Sequence, residues 1–297
     1  MMTLTTRWAE EAMCDMPHKE YPRPQMVRDN WVCLNGMYDF AITDDDVKWC
    51  EEYKEEIRVP FAVESCLSGV CKRVDDDELM WYRKKITLPE SFKGKRTLLH
   101  FGAVDWDCKV YVNRKEVGGH LGGYCPFSID ITDALFDGEN ELVVRVYDPT
   151  DEGWQNRGKQ ASESHGFWYT STSGIWQTVW MEAVSENYIA SYKATPDIDK
   201  GVIAIKTDVV GKGTLRIKIF DGNDLVTEKE ISADEAVEVP GMKLWSPENP
   251  FLYDFVLELS DNGIISDSIK GYFGMRKFSV DTDEKGEEVF RESDSTF

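Results

Sequence analysis

Apolar and polar residues alternate with a period of two along most of this chain. Leu142, Val144 and Val146 alternate with Glu141, Val143, Arg145 and Tyr147. Phe127, Ile129 and Ile131 alternate with Ser128, Asp130 and Thr132. Leu99, Phe101, Val104, Trp106, Val110 and Val112 recur along extended segments in the same way. Such alternation turns one set of side chains to a core and the other to solvent, which predicts half-buried β-strands. Turns at Asn35-Gly36, Lys93-Gly94, Asn113–Lys115 and Asp137-Gly138 bound the runs. Helical periodicity is confined to Arg7–Met13 and Ile131–Phe136, each long enough for a turn or two. Short strands at close, regular spacing predict an all-β chain that opens with a jelly-roll β-sandwich over residues 20–186. Six further strand-like runs, from Gly201–Val210 to Ile264–Gly274, predict an immunoglobulin-like β-sandwich over 187–280. An extension, 1–19, precedes the first domain, and a polar, weakly patterned tail, 281–297, follows the second.

Length agrees with two domains of ordinary size for 297 residues. Charged residues make up 30% of the chain and no apolar run reaches membrane-spanning length, which argues against a membrane protein. The stretch Met1–Cys14 lacks the apolar core of a secretion signal, which predicts a cytoplasmic location. Seven cysteines, an odd number without framework spacing, are expected to be reduced. A formal charge of −21 repels nucleic acid and anionic membranes. It is indifferent to a neutral sugar and opposes an anionic uronide. His18, His100, His120 and His165 lack zinc-ligand spacing, so no metal site is assigned. The acidic runs Asp44–Asp46 and Asp75–Glu78 read as solvated loops before they read as calcium sites. No phosphate loop or nucleophile elbow occurs, and no cofactor is expected.

Several phrases are specific as well as β-rich. They are RPQMVRDNWVCLNGMYDFAI (Arg23–Ile42), IRVPFAVESCLSGV (Ile57–Val70), LLHFGAVDWDCKVYVN (Leu98–Asn113), GGYCPFSIDI (Gly122–Ile131) and SGIWQTVWME (Ser173–Glu182). LWSPENPFLYDFVLEL (Leu244–Leu259) and GYFGMRKFSV (Gly271–Val280) continue the series. In this order the chain resembles the N-terminal region of glycoside hydrolase family 2, which contains β-galactosidases, β-glucuronidases and β-mannosidases. The resemblance implies a galactose-binding-like jelly roll followed by an immunoglobulin-like domain. It also implies that the acid/base and nucleophile glutamates belong to a (β/α)8 barrel whose motifs do not occur in these residues. No catalytic residue is therefore assigned, and the chain alone is expected to be inactive, with the missing barrel as its intramolecular partner. The alternative reading is a stand-alone carbohydrate-binding or protein-interaction module.

In the family reading, two segments would form part of the rim of a sugar pocket. Glu64 and Ser65 could exchange hydrogen bonds with sugar hydroxyls, although Glu64 could instead cap a turn. The irregular stretch Asp151–Thr172 is long for a compact sandwich, and such loops are often functional. It carries Trp154, Arg157, Gln160, His165 and Tyr169, residues suited to stacking on a pyranose and bonding its hydroxyls, whereas Trp168 is expected to pack inward. The expected ligand is a neutral β-glycoside. Homo-oligomers are compatible with the sequence.

Overall fold

The computed structural model describes residues 6–293 and 295–296, so residues 1–5 of the N-terminal extension lie outside the described residues. Packing divides the chain into two units, residues 1–22 with 30–183 and residues 23–29 with 184–297.

The first unit is a sandwich of antiparallel sheets. One sheet has six strands in the order Glu55–Val59, Gly36–Asp44, Glu78–Thr87, Glu139–Tyr147, Asp107–Val112 and Lys115–Leu121. The other has four, in the order Trp31–Cys33, Val179–Val184, Arg96–Phe101 and Phe127–Asp130. Alternation decides what lies between them. Phe40, Tyr82, Val110, Leu142, Val144 and Val146 from the first sheet meet Leu99, Phe101, Val179 and Met181 from the second. Glu78–Thr87 departs from alternation, because Leu79, Met80, Trp81 and Tyr82 are all buried. Its second face is covered by Cys50, with Trp49 and Tyr53 packed alongside, and a strand buried on both faces reads as a continuous apolar run. Asn113 and Arg114 take positive φ in the tight turn between Asp107–Val112 and Lys115–Leu121, as the turn residues there predicted. The helical segments shrink to Ala9–Ala12 and the 3-10 turn Thr132–Ala134.

Charge is also buried in this unit, and it is bonded. Glu182 is fully buried in Val179–Val184, where the Tyr21 hydroxyl donates to it and His100 Nε2 lies 3.2 Å away. His100 Nδ1 is 2.6 Å from Ser128 Oγ in turn.

Gly174 shows how closely the backbone packs. Its φ is +86, and a Cβ built there would fall 1.9 Å from the buried Tyr82 hydroxyl. Gly174→Ala should therefore destabilise the first unit by about 2–4 kcal/mol, from positive-φ strain and overpacking together. A urea midpoint equal to wild type would contradict this.

The second unit pairs a three-stranded sheet, Tyr188–Asp197, Val202–Val210 and Asp234–Glu238, with a four-stranded one. That second sheet runs Asp224–Ile231, Thr214–Asp221, Tyr253–Asp261 and Ile264–Phe273. Ile203, Ile205, Ile217, Ile219, Phe255 and Leu257 are among its core residues. Residues 23–29, which the sequence groups with the first sandwich, pack on this unit instead. Val27 and Lys270 exchange backbone hydrogen bonds of 2.8 and 3.0 Å, and Met26 enters the core.

The tail expectation needs correcting. Phe278–Thr282 pairs antiparallel with Glu288–Glu292, which pairs with Ser295–Thr296. A polar turn closes the hairpin, with the Asp283 carboxylate accepting from the backbone N–H of Lys285 and Glu287. The acidic composition that suggested a loose tail is divided between that turn, with Asp283, Glu284 and Glu287, and the strands that flank it. Among the described residues, no helix is long and apolar enough to cross a membrane.

Candidate functional site

The stretch after Glu139–Tyr147 leaves its sheet at Asp148, forms a short parallel pair between Gln160–Ala161 and Tyr169–Thr170, and next pairs at Gly174–Ile175 with Val104–Asp105. Between those points it is held by side chains. Thr150 N–H donates to Asp148 Oδ1 at 2.9 Å, and Ser173 Oγ–H donates to Asp148 Oδ2 at 2.6 Å. The Asp151 carboxylate accepts from Ser162, whose hydroxyl holds it below the usual carboxylate range. Arg157 donates to the Asp151 carbonyl at 2.7 Å, and its guanidinium lies 5.3 Å from the Trp168 ring centre.

Gln160 is fully engaged. Its amide N–H groups donate to Asp105 Oδ2 at 3.0 Å and the Tyr124 hydroxyl at 2.9 Å, and its oxygen accepts from Thr172 N–H at 2.6 Å. Glu64 reaches the same place from the segment after Glu55–Val59, with Oε2 accepting from Ser173 N–H at 3.0 Å. Its Oε1 is buried without a hydrogen-bond partner among the described residues. Ser65 caps the 3-10 turn Cys66–Ser68, where its hydroxyl accepts from Leu67 N–H at 3.3 Å.

The outer surface of the loop is aromatic. Trp154 is 88% exposed, Tyr169 66% and Phe167 62%. Trp154 meets Trp106 edge-on at 5.8 Å, and Phe167 stacks on Trp168 at 4.9 Å. His165 is exposed and bonded only locally, to the Glu163 carbonyl at 2.7 Å. The fold thus brings Glu64 and Gln160 into one bonded centre, sets Trp154, Arg157 and Tyr169 on the loop above, and leaves Ser65 and His165 in local roles.

Sequence reasoning missed Asp105, Asp148, Tyr124 and Ser173. Asp105 and Asp148 are each 2% exposed. Burial, with the nearby Asp148 charge, raises the Asp105 carboxyl to about 7. Burial also raises Asp148, against the hydrogen bond from Ser173. One signal was present in the Gly122-Gly123 pair. A Cβ on Gly123 would lie 2.2 Å from Asp105 Oδ1, so this position admits Asp105 only as glycine.

The expectation of seven reduced cysteines is corrected here as well. Cys66 and Cys71 form a disulfide, with Cα atoms 4.5 Å apart. The turn through Gly69, at φ +88, and Cys71, at φ +54, folds the chain back on itself, which a spacing of five does not announce. The other five thiols are free. Among the described residues, no group of three or more His, Cys, Asp or Glu side chains is arranged to hold a metal.

Residues 57–184 match the family described as "Glycosyl hydrolases family 2, sugar binding domain", and residues 187–276 match "Glycosyl hydrolases family 2". A β-galactosidase of Thermoanaerobacter pseudethanolicus is 28% identical over 85% of this chain and 34% of its own length. A putative β-glucuronidase of Formosa agariphila is 26% identical over 84% of this chain and 31% of its own length. The chain thus spans about a third of these curated relatives. The apo structure of a Ruminococcus gnavus β-glucuronidase superposes with a TM-score of 0.76 at 19% identity, over 93% of this chain and 50% of that one. A Faecalibacterium prausnitzii β-glucuronidase gives 0.69 at 22% identity, over 87% of this chain and 48% of that one.

Proposed function

The chain belongs to glycosyl hydrolase family 2, and from that premise we propose that it supplies the non-catalytic sugar-binding and scaffold domains of a retaining β-glycosidase. Its loop 151–172, with Glu64 beneath, forms one wall of the sugar site. The observation that carries this reading is the exposed Trp154 and Tyr169 on the same loop as Arg157, a loop tied down by its own hydrogen bonds. Aromatic rings with fixed polar neighbours suit the apolar face and hydroxyl rim of a pyranose.

The buried acids do not make the chain a hydrolase. Retaining hydrolysis needs two carboxyl groups about 5 Å apart flanking the scissile bond. Asp105 and Asp148 are too buried to meet a glycosidic oxygen, and Gln160, Ser173 and Thr150 already bond to them. Chemistry is therefore assigned to a catalytic domain outside these residues. The charge of −21 favours a neutral, galactoside-like substrate over a uronide. Five of the seven thiols are free, which favours a reducing, cytoplasmic setting.

A stand-alone binding module is the second reading, supported by a loop that is bonded within the first unit alone. Calorimetric titration with methyl β-galactoside, methyl β-glucoside and methyl β-glucuronide separates the two. One wall offers a few hydrogen bonds and a stacking contact, which barely offset an association cost of about 4 kcal/mol or more. The expected dissociation constant is about 1 mM or weaker. Micromolar binding that is lost in Trp154→Ala would favour the stand-alone module, and tighter binding of the uronide would overturn the neutral-substrate assignment.

A further inference from the structure

Three carboxylates from distant parts of the first unit bond one segment. Asp105 receives Gln160, Asp148 receives Thr150 and Ser173, and Glu64 receives the Ser173 backbone. These bonds sit at both ends and in the middle of the loop that forms the proposed wall. The charged groups acting on Asp105 are the carboxylates of Asp148 and Glu64. Gln160 is neutral, and the Tyr124 hydroxyl reaches the centre through the Gln160 amide. No cation is among the groups acting on Asp105 or Asp148, and one oxygen of Glu64 is buried and unpaired among the described residues.

We propose that Asp105, Asp148 and Glu64 form a buried acid latch that positions the loop 149–173 and loosens as pH rises. When Asp105 holds its proton, the centre carries less charge and the loop closes on it. When that proton is lost, like charges remain in a buried space, with no cation among the groups acting on Asp105 or Asp148, and the bonds to Gln160, Thr150 and Ser173 must hold against the repulsion. Asp105 is the positioning residue, because it acts on the wall through Gln160.

The sign follows from proton linkage. In the closed state the Asp105 carboxyl is raised to about 7. In the open, solvated state it returns to the ordinary range near 4. Between those limits the closed state holds the extra proton, so opening becomes easier as pH climbs from about 4 to about 7 and levels off above. Tyr124 carries no charge in this window, since burial raises its hydroxyl further from it.

The device regulates the sugar wall proposed above and rests on that assignment only for its consequence. Its test uses the chain without sugar, so failure of the titration and failure of the latch are separate results. Hydrogen exchange of the intact chain would be followed by mass spectrometry at pH 5, 6.5 and 8, each peptide expressed as protection relative to its intrinsic rate. Peptides covering 160–173 should lose protection about tenfold or more from pH 5 to pH 8. Core peptides from Glu139–Tyr147 should keep theirs. Asp105→Asn retains an acceptor for Gln160 but cannot titrate, and should hold the loop closed at pH 8. Equal loop protection at pH 5 and pH 8 would overturn the latch. So would a loss shared equally by the core strands, or a full wild-type response in Asp105→Asn. Should that variant fail to fold, the wild-type series decides alone.

Discussion

Asp267→Ala will destabilise the second unit by about 3–5 kcal/mol. The carboxylate is 8% exposed and takes both forks of Arg28, which is 5% exposed, at 3.0 and 2.8 Å. It also accepts from the backbone N–H of Ile189 at 2.8 Å and Ser268 at 3.0 Å. Alanine takes the carboxylate fork from a buried guanidinium, which keeps its bond to the Ile189 carbonyl, and leaves two amides without their acceptor. Losing the charge partner of a buried ion costs more than the pair itself contributes. Domain stabilities are only about 5–15 kcal/mol, so the variant should approach unfolding at ambient temperature. Asp29→Ala is the control, since the Asp29–Lys270 pair is 2.8 Å long but exposed and should cost under about 1 kcal/mol. The double change Arg28→Met with Asp267→Leu should recover most of the loss. Equal urea midpoints for Asp267→Ala and Asp29→Ala would contradict this account.

Arg28 also shows where the sequence stops being legible. Residues 23–29 precede the first sandwich in the chain, and nothing local in RPQMVRD distinguishes its strands from those of the second. Their placement depends on Asp267, which lies 239 positions away. Strands such as Glu139–Tyr147 were legible because alternation is a local consequence of burying one face. The site was legible in part. Gln160 and Glu64 stood out as polar residues in suspect loops, yet Gln160 is spent on Asp105, Tyr124 and Thr172, and one oxygen of Glu64 on Ser173. Asp105 and Asp148 sit at strand ends, where an acid ordinarily faces water. Only the sheet register brings them beneath the loop, and pairwise distances of that kind have no signature in one sequence. The Phe278–Thr282 hairpin was missed for a simpler reason: charged residues masked a short alternation.

The largest effect concerns turnover. Enzymes of ordinary proficiency accelerate their reactions by about a million-fold or more over the uncatalysed rate. This chain should show none of that acceleration on aryl β-glycosides. Among the described residues, the clustered carboxylates that include a raised acid are Glu64, Asp105 and Asp148, and they accept hydrogen bonds from the loop. Asp105, raised to about 7 by burial, has the protonation of a general acid but no path to a leaving group. Charge and pKa alone would mark this centre as catalytic, and burial decides against it.

The most direct test of the central claim is therefore an initial-rate measurement on the purified chain. The substrates are nitrophenyl β-galactoside, β-glucuronide and β-mannoside, followed from pH 5 to pH 8. The account predicts release indistinguishable from buffer on all three. Turnover above buffer that disappears in Asp105→Asn or Asp148→Asn, with the fold of the variant intact, would contradict it and make the buried acids an active site.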